Sequence, residues 1–363
     1  MTSPLAQVAW DECLLVPDRD AAAESYLKRE TGSAPAWSRY FWASPWFAKA
    51  MIRIGYDQGL LLALDFETAD LAALVVSQEN SCRYCYAASR AMLRLMGLSE
   101  ERMQALEKRL AVPELDPRGA AAVRFGRRMT RADPLAGHTE RRALEQAGFT
   151  SEEIRELAFA VASVTFMNRL STVVALPPQP WESAPDRWYM RLLQPFMARM
   201  MKSWRKRGAP SAMPADAPPM FAALIQRYEG SPIAGVLADM LRDLWRSEVL
   251  PRRTKALMFA VAAQGLGCPA ARREACEMLR LDGLEQAQVD GILSHLGGPG
   301  LGVEDNALLA FARDTLWYEP QKIQRRARTL RDQIGTPKFV EALAVVTVAN
   351  TTVRLAAFVQ DPA

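Results

Sequence analysis

The sequence predicts an all-α protein that carries one helical unit twice, and three observations lead there. Ala, Leu, Met, Arg and Glu are prominent among the 363 residues, and apolar positions recur at spacings of three and four, with no alternating stretch of useful strand length. Cap and stop signals cut the chain into short helices: Ser99 opens SEERM, Thr150 opens SEEIREL, and Gly97 and Gly148 close turns. The third observation is an internal repeat.

At an offset of 186 residues, Met92, Leu93, Arg94, Leu95, Gly97 and Leu98 fall on Met278, Leu279, Arg280, Leu281, Gly283 and Leu284, and Cys82 falls on Cys268. Further on, ELAFAVASVTFMNRL overlays EALAVVTVANTTVRL at 185, and Arg39 and Tyr40 overlay Arg227 and Tyr228 at 188. The repeat divides the chain into an extension (1–35), a first unit (36–180), a connector (181–219) and a second unit (220–363), related as pseudo-twofold copies in one chain. Within the connector, Arg187 to Arg207 reads as a helix kinked at Pro195, with seven basic residues beside Met and aromatic positions. It packs on one repeat with its charges in solvent, or offers a surface to an acidic partner or anionic lipid. Ala209 to Pro219, with four prolines in eleven residues, reads as a linker.

Composition excludes a disordered tail, a collagen and a disulfide scaffold. Lys and Arg number 45 against 41 Asp and Glu, and the resulting +4 is too weak a field to name nucleic acid as a partner. The longest uncharged run, Ala256 to Ala271, has 16 residues, short of the roughly 20 needed to span a bilayer. The first residues carry Asp11 and Glu12 and no basic start before an apolar block, so the expected location is the cytoplasm. Thiols stay mostly reduced there, and a close CxxC pair suggests redox or metal chemistry rather than a structural disulfide.

That pair lies in Ser77-Gln78-Glu79-Asn80-Ser81-Cys82-Arg83-Tyr84-Cys85-Tyr86-Ala87-Ala88-Ser89, between an apolar helix and the run ending at Gly97. With Asn80 or Ser81 as cap, both cysteines fall near the first turn of the second helix. Its free N–H groups and dipole favour a thiolate there, and Arg83 adds charge of the same sign. Residues three apart on a helix stand slightly too far apart for a relaxed disulfide, so the bridge would be reducible. Zinc is disfavoured because neither a second CxxC nor a paired His supplies four ligands. Two small buried hydrophobes remain the alternative for Cys82 and Cys85.

These residues resemble the alkylhydroperoxidase D-like group of the carboxymuconolactone decarboxylase superfamily, an all-helical family. Its redox members carry an acid twelve positions before CxxC and a His four positions after it; here Asp70 and Ser89 stand at those places. SQEN before Cys82, Gly97, and Asn168-Arg169 in the later apolar helix also fit. The resemblance implies a catalytic set of Cys85 as peroxidatic thiol, Cys82 as resolving thiol, and Asp70 and Ser89 in place of the proton relay. It implies a peroxide substrate, a thioredoxin-like or lipoylated dithiol reductant, and no bound cofactor. Ser89 has no useful basicity, which singles out proton removal as the altered step.

Other readings stay open for individual residues. Asp70 serves equally as a first-turn acid with Thr68 as cap, Ser89 as a packing residue, and Tyr84 and Tyr86 as pocket walls or core. Arg169 and Arg354 end uncharged stretches at matching places and either tie loops together in both repeats or, for Arg169, pair with Asp70. His138 and His295 read as solvated loop residues. In the second copy Ala256, Ala271 and Ala275 replace Asp70, Cys85 and Ser89, which makes it a structural half completing an interface that single-repeat relatives form by self-association. The alternative function is a binding or scaffold protein without turnover; lactone decarboxylation is a third reading, less suited to CxxC. A homo-oligomer is compatible with all of them.

Overall fold

In the computed structural model, which describes residues 5, 8–56, 58–95, 99–101, 103–104, 115–133, 135–177, 196 and 218–360, every regular element is a helix. The first part contains α1 (Ala21–Thr31), a 3-10 turn (Ala36–Phe41), α2 (Pro45–Tyr56), α3 (Phe66–Glu79), α4 (Arg83–Leu95), α5 (Pro117–Arg131), α6 (His138–Gln146) and α7 (Ser151–Val173). The second contains α8 (Ala222–Gln226), α9 (Pro232–Arg246), α10 (Arg252–Gly265), α11 (Pro269–Leu281), α12 (Gln286–His295), α13 (Val303–Asp314), α14 (Pro320–Ile334) and α15 (Thr336–Gln360). The order α2 to α7 recurs as α9, α10, α11, α13, α14 and α15, in the register that the sequence overlay gives. The expected basic helix over 187–207, Gly97 and most of the proline-rich linker lie outside the described residues.

Local chemistry sets the helix starts. Thr150 opens α7 as expected: its hydroxyl accepts the Glu153 N–H at 3.2 Å while the Glu153 carboxylate accepts the Thr150 N–H at 2.8 Å. Asp116 accepts the Gly119 N–H at 2.7 Å with Pro117 in the first helical position of α5. Asp65, rather than Thr68, caps α3, accepting the Thr68 N–H at 2.8 Å and its hydroxyl at 2.7 Å. Asp70 therefore sits in the second turn, beyond the free N–H groups that would favour it as a first-turn acid. His138 opens α6 and His295 ends α12, so neither is a loop residue.

The two long helices α7 and α15 lie against each other at the centre, and α3 packs on α7 as α10 packs on α15. Both central helices are buried on nearly all sides, the pattern of an enclosed helix, with a few polar and charged side chains enclosed among the apolar ones. The stretch Thr336–Val359 is long and apolar enough to cross a membrane, but 94% of its apolar window is buried inside the protein. The core runs without a break from Leu14 and Leu15 through Phe166 to Phe259 and Phe358, so the 1–35 segment contributes to it as well.

Two glutamates at matching places in the two halves are used differently. Glu156 on α7 accepts the N–H groups of Leu62, Ala63 and Leu64 at 2.7–3.1 Å and fixes the loop leading into α3. Glu341, at the matching place on α15, instead pairs at 3.3 Å with the buried Lys255 of α10 and accepts the Trp46 indole N–H at 3.1 Å from the first part. Lys255 donates further to the Leu244 carbonyl at 2.7 Å, which satisfies a charge taken out of water.

Candidate functional site

The site begins where α3 stops. Ser81 adopts the left-handed conformation, φ +50°, and this reversal returns the chain so that the Cys82 N–H donates to the Ser77 carbonyl at 2.9 Å. The Tyr86 N–H donates to the Cys82 carbonyl at 3.0 Å, so Cys82 itself, not Asn80 or Ser81, caps α4. Its sulfur accepts the Cys85 N–H at 3.3 Å, the bond a serine or aspartate makes in an ordinary N-cap. Asn80 and Ser81 are used otherwise, Ser81 for the reversal and Asn80 in donating from its side chain to the Asn168 side-chain oxygen at 3.0 Å. Arg83 points outward to the Val8 carbonyl at 3.2 Å.

Both thiols are free and buried; the Cys85 S–H donates to the Ser171 hydroxyl at 3.7 Å, and the Cys85 N–H on the Cys82 sulfur links the two residues. They titrate as a pair, with opposite displacements. Burial raises the Cys82 thiol, but its proximity to the Cys85 side chain and the Cys85 N–H on its sulfur outweigh it and leave Cys82 below its ordinary value. Burial and the neighbouring Cys82 push Cys85 well above its ordinary value, opposed by Ser171 and Asn168. The first proton therefore leaves the pair with its charge centred on Cys82. Cys268, capping α11 at the matching place, has its thiol raised by burial. The residues that assist Cys82 and Cys85, namely Asn168, Ser171 and Thr172, are replaced there by Val353, Ala356 and Ala357.

Cys85 opens on a cavity of about 210 Å³ between α2, α3, α4 and α7. Asp70, Ser89 and Tyr84 line it too, so three of the four residues singled out from the sequence share one space while Cys82 lies behind it. The remaining wall is apolar, with Leu60, Phe66, Met92, Phe159 and Met167 prominent. Tyr86 faces away, packed with Leu74 and Leu93. Gly55 gives Met167 its place, since a Cβ there would stand 2.9 Å from the Met167 sulfur. Neither histidine lines the cavity.

Arg169 ties loops, as one of its two readings expects. Its guanidinium donates to the carbonyls of Thr315 at 3.1 Å and Leu316 at 2.9 Å, in the turn between α13 and α14. Arg354 donates to the Asn350 side-chain oxygen at 2.6 Å and to the same Leu316 carbonyl at 3.4 Å. Ser171, Thr172 and Tyr318 were not singled out from the sequence. The loss of both hydroxyls at Ala356 and Ala357 is the signal that marks the first two; Tyr318 comes close only through the fold.

An all-helical scaffold presenting a helix-capping dithiol to an apolar cavity defines the class of protein. Residues 45–128 match the carboxymuconolactone decarboxylase family, and this stretch holds Asp70, Cys82, Cys85 and Ser89. The cysteine-bearing part of the chain thus matches the family that the sequence resemblance implied. Among solved structures, an uncharacterized peroxidase-related protein from Silicibacter sp. TM1040 is similar at 24% identity over 50% of this chain and 96% of that one, with a TM-score of 0.38. No curated protein matches.

Proposed function

We propose that the first unit is a thiol-dependent peroxidase or peroxide-responsive disulfide module acting on organic hydroperoxides. The observation that carries this reading is the placement of Cys85 on an apolar cavity, one helical turn from a second thiol whose sulfur caps the helix by accepting the Cys85 N–H. Cys82 takes the part of the base that Ser89 cannot play. In the singly charged pair the Cys85 proton passes to the Cys82 sulfur, and the Cys85 thiolate attacks the terminal oxygen of the hydroperoxide. The O–O bond breaks, the leaving alkoxide takes the proton held by Cys82 and departs as an alcohol, and Cys85 becomes a sulfenic acid. The Cys82 thiolate then attacks that sulfur, hydroxide leaves, and a disulfide forms; two electrons have moved from the dithiol to the peroxide.

A dithiol of the thioredoxin or lipoyl class, acting in the reducing cytoplasm, returns the pair to thiols by exchange, and no bound cofactor enters the cycle. The recurrence of helix order supports a tandem origin in which the second unit covers surface that a single-unit relative would cover with another copy. The test is consumption of cumene hydroperoxide by the full chain with excess dithiothreitol. Wild type turns over and Cys85→Ser does not; equal rates remove Cys85 from the mechanism. The competing reading, a binding protein without turnover, is favoured by Ser89 in the cavity wall where a base would stand, and predicts ligand capture with no peroxide loss in either protein.

A further inference from the structure

The hydroxyl that meets the Cys85 sulfur comes from α7 and not from α4. The Cys85 S–H donates to the Ser171 side chain at 3.7 Å, and Ser171, Asn168 and Ser77 are all 0% exposed, so these groups depend on one another for their hydrogen bonds. Ser171 is kept in place by a polar lattice one turn earlier on the same helix. The Asn168 side chain donates to the Ser77 hydroxyl at 3.2 Å and accepts from the Asn80 side chain at 3.0 Å. Ser77 also offers its backbone carbonyl to the Cys82 N–H at 2.9 Å. The lattice thus ties α7 to the turn between α3 and α4 from which the cysteine pair starts. The second unit supplies an internal comparison. In the register of the overlay, Ser77, Asn80, Asn168 and Ser171 become Ala263, Leu266, Val353 and Ala356, and Cys85 becomes Ala271, whereas Cys82 and Arg169 keep counterparts in Cys268 and Arg354. A lattice needed only to join helices would be as useful in either half; this one is missing where the counterpart of Cys85 is missing.

We infer that Ser171 is a further residue of the redox centre: its hydroxyl accepts the Cys85 thiol hydrogen and, once that proton has left for Cys82, turns to donate to the Cys85 thiolate, with Asn80, Asn168 and Ser77 holding its helix in register. This deepens the peroxidase reading and rests on it for its purpose, though not for its test. A hydroxyl carries one donor and two acceptor sites on a rotor, so it serves both states of the sulfur with no movement of the helix. The two bonds are unequal. A thiol is a weak donor, whereas an O–H bond to an anion is charge-assisted, so the exchange favours the thiolate. Ser171 accordingly opposes the burial that raises the Cys85 thiol. The titratable groups that face Cys85 are Cys82 and Tyr84 on its own helix, Asp70 from α3 across the cavity and Tyr318 from the turn between α13 and α14. The residues of α2 and α7 that line the cavity are uncharged. Ser89, which the family resemblance put in the relay, stands one turn along α4 as part of the cavity wall.

The experiment is the pH dependence of iodoacetamide alkylation at Cys85, read by peptide mass, in the full chain carrying Cys82→Ala so that Cys85 titrates alone. The same chain is compared with Ser171→Ala, Ser171→Thr or Ser89→Ala added. Ser171→Ala removes one buried oxygen and leaves the residue that the second unit already carries at Ala356. The expected result is a midpoint raised by about one pH unit in Ser171→Ala, a roughly tenfold loss of thiolate at neutral pH, with Ser171→Thr returning it toward the parent and Ser89→Ala leaving it in place. In the otherwise wild-type chain Ser171→Ala should slow Cys85 alkylation at neutral pH by a similar factor, a second reading that does not need the Cys82→Ala background. A Ser171→Ala midpoint within about 0.3 unit of the parent overturns the inference, as does an equal shift in Ser89→Ala or in Ser171→Thr. The titration uses no peroxide, so a shift in a protein that consumes no cumene hydroperoxide supports Ser171 while refuting the peroxidase reading. Full turnover with an unmoved midpoint does the reverse.

Discussion

Replacing Glu156 tests how the fold holds one wall of the cavity. The carboxylate, 3% exposed, accepts four contacts from three successive N–H groups, Leu62, Ala63 and Leu64, at 2.7–3.1 Å. Leu62 and Ala63 are exposed, so water replaces the acceptor at their amides in Glu156→Ala, but Leu64 is buried and its N–H loses this acceptor where water does not reach. A hydrogen bond to a charged group contributes about 1.5–3 kcal/mol and a stranded buried donor costs about 1–3 kcal/mol. Removing the carboxylate also relieves its own burial, so the expected net loss is about 2–4 kcal/mol, with Glu156→Gln losing about half because one acceptor oxygen remains. Urea unfolding of the full chain measures this from the midpoint. Because Leu60 and Leu61 of the same loop line the cavity, the Michaelis constant for cumene hydroperoxide should rise with the loss of stability. A change below about 0.5 kcal/mol in Glu156→Ala, the range of an ordinary surface substitution, would refute the assignment of this residue as the anchor of the loop.

Further outcomes follow from the same geometry. Single-turnover oxidation of wild type should rise with pH below the ordinary thiol range, because the reactive singly charged pair forms at the lowered Cys82 titration. In Cys82→Ala burial, the largest influence on Cys85, still raises it against Ser171 and Asn168, so the rise should move to higher pH than in wild type; a stopped-flow pH profile with the same midpoint in both proteins would contradict Cys82 as base. Ser81→Gly should stabilise the chain by about 0.5–1 kcal/mol in urea unfolding, since glycine carries no penalty at φ +50° and Gly267 already occupies the matching place. Lys255→Met leaves Glu341 buried and unpaired and should cost about 3–5 kcal/mol, measured in the same way. Gly55→Ala should drive the Met167 side chain into the cavity and weaken binding of bulky hydroperoxides more than of hydrogen peroxide, read as a change in the ratio of their kcat/KM values.

Much of the architecture was legible because helix signals here are local. The Thr150 capping box and the apolar runs of α7 and α15 depend on residues within a few positions of one another. Asp70 and Ser89 came only through the family resemblance, by their places around the CxxC pair; Ser89 shares a face of α4 with Cys85 because i and i+4 do. The cap of α4 was misplaced because a cysteine sulfur accepts an N–H less commonly than a serine or asparagine oxygen, and because the left-handed turn at Ser81 moves the helix start by one or two residues. The cap of α3 went to Asp65 because a carboxylate accepts from both the amide and the hydroxyl of Thr68, which Thr68 cannot do for itself. The hold of Arg169 on the Thr315 and Leu316 carbonyls joins residues far apart in the chain, and no local pattern encodes it.

The central claim is that Cys82 and Cys85 cycle between two thiols and a disulfide. Intact mass with thiol trapping, before and after one equivalent of cumene hydroperoxide, tests it most directly. The account predicts loss of two hydrogens, protection of two thiols from trapping, and a crosslink mapped to Cys82 and Cys85 that dithiothreitol reverses. An unchanged mass, or oxidation mapped to Cys13, Cys268 or Cys276 with Cys82 and Cys85 still free, would contradict it.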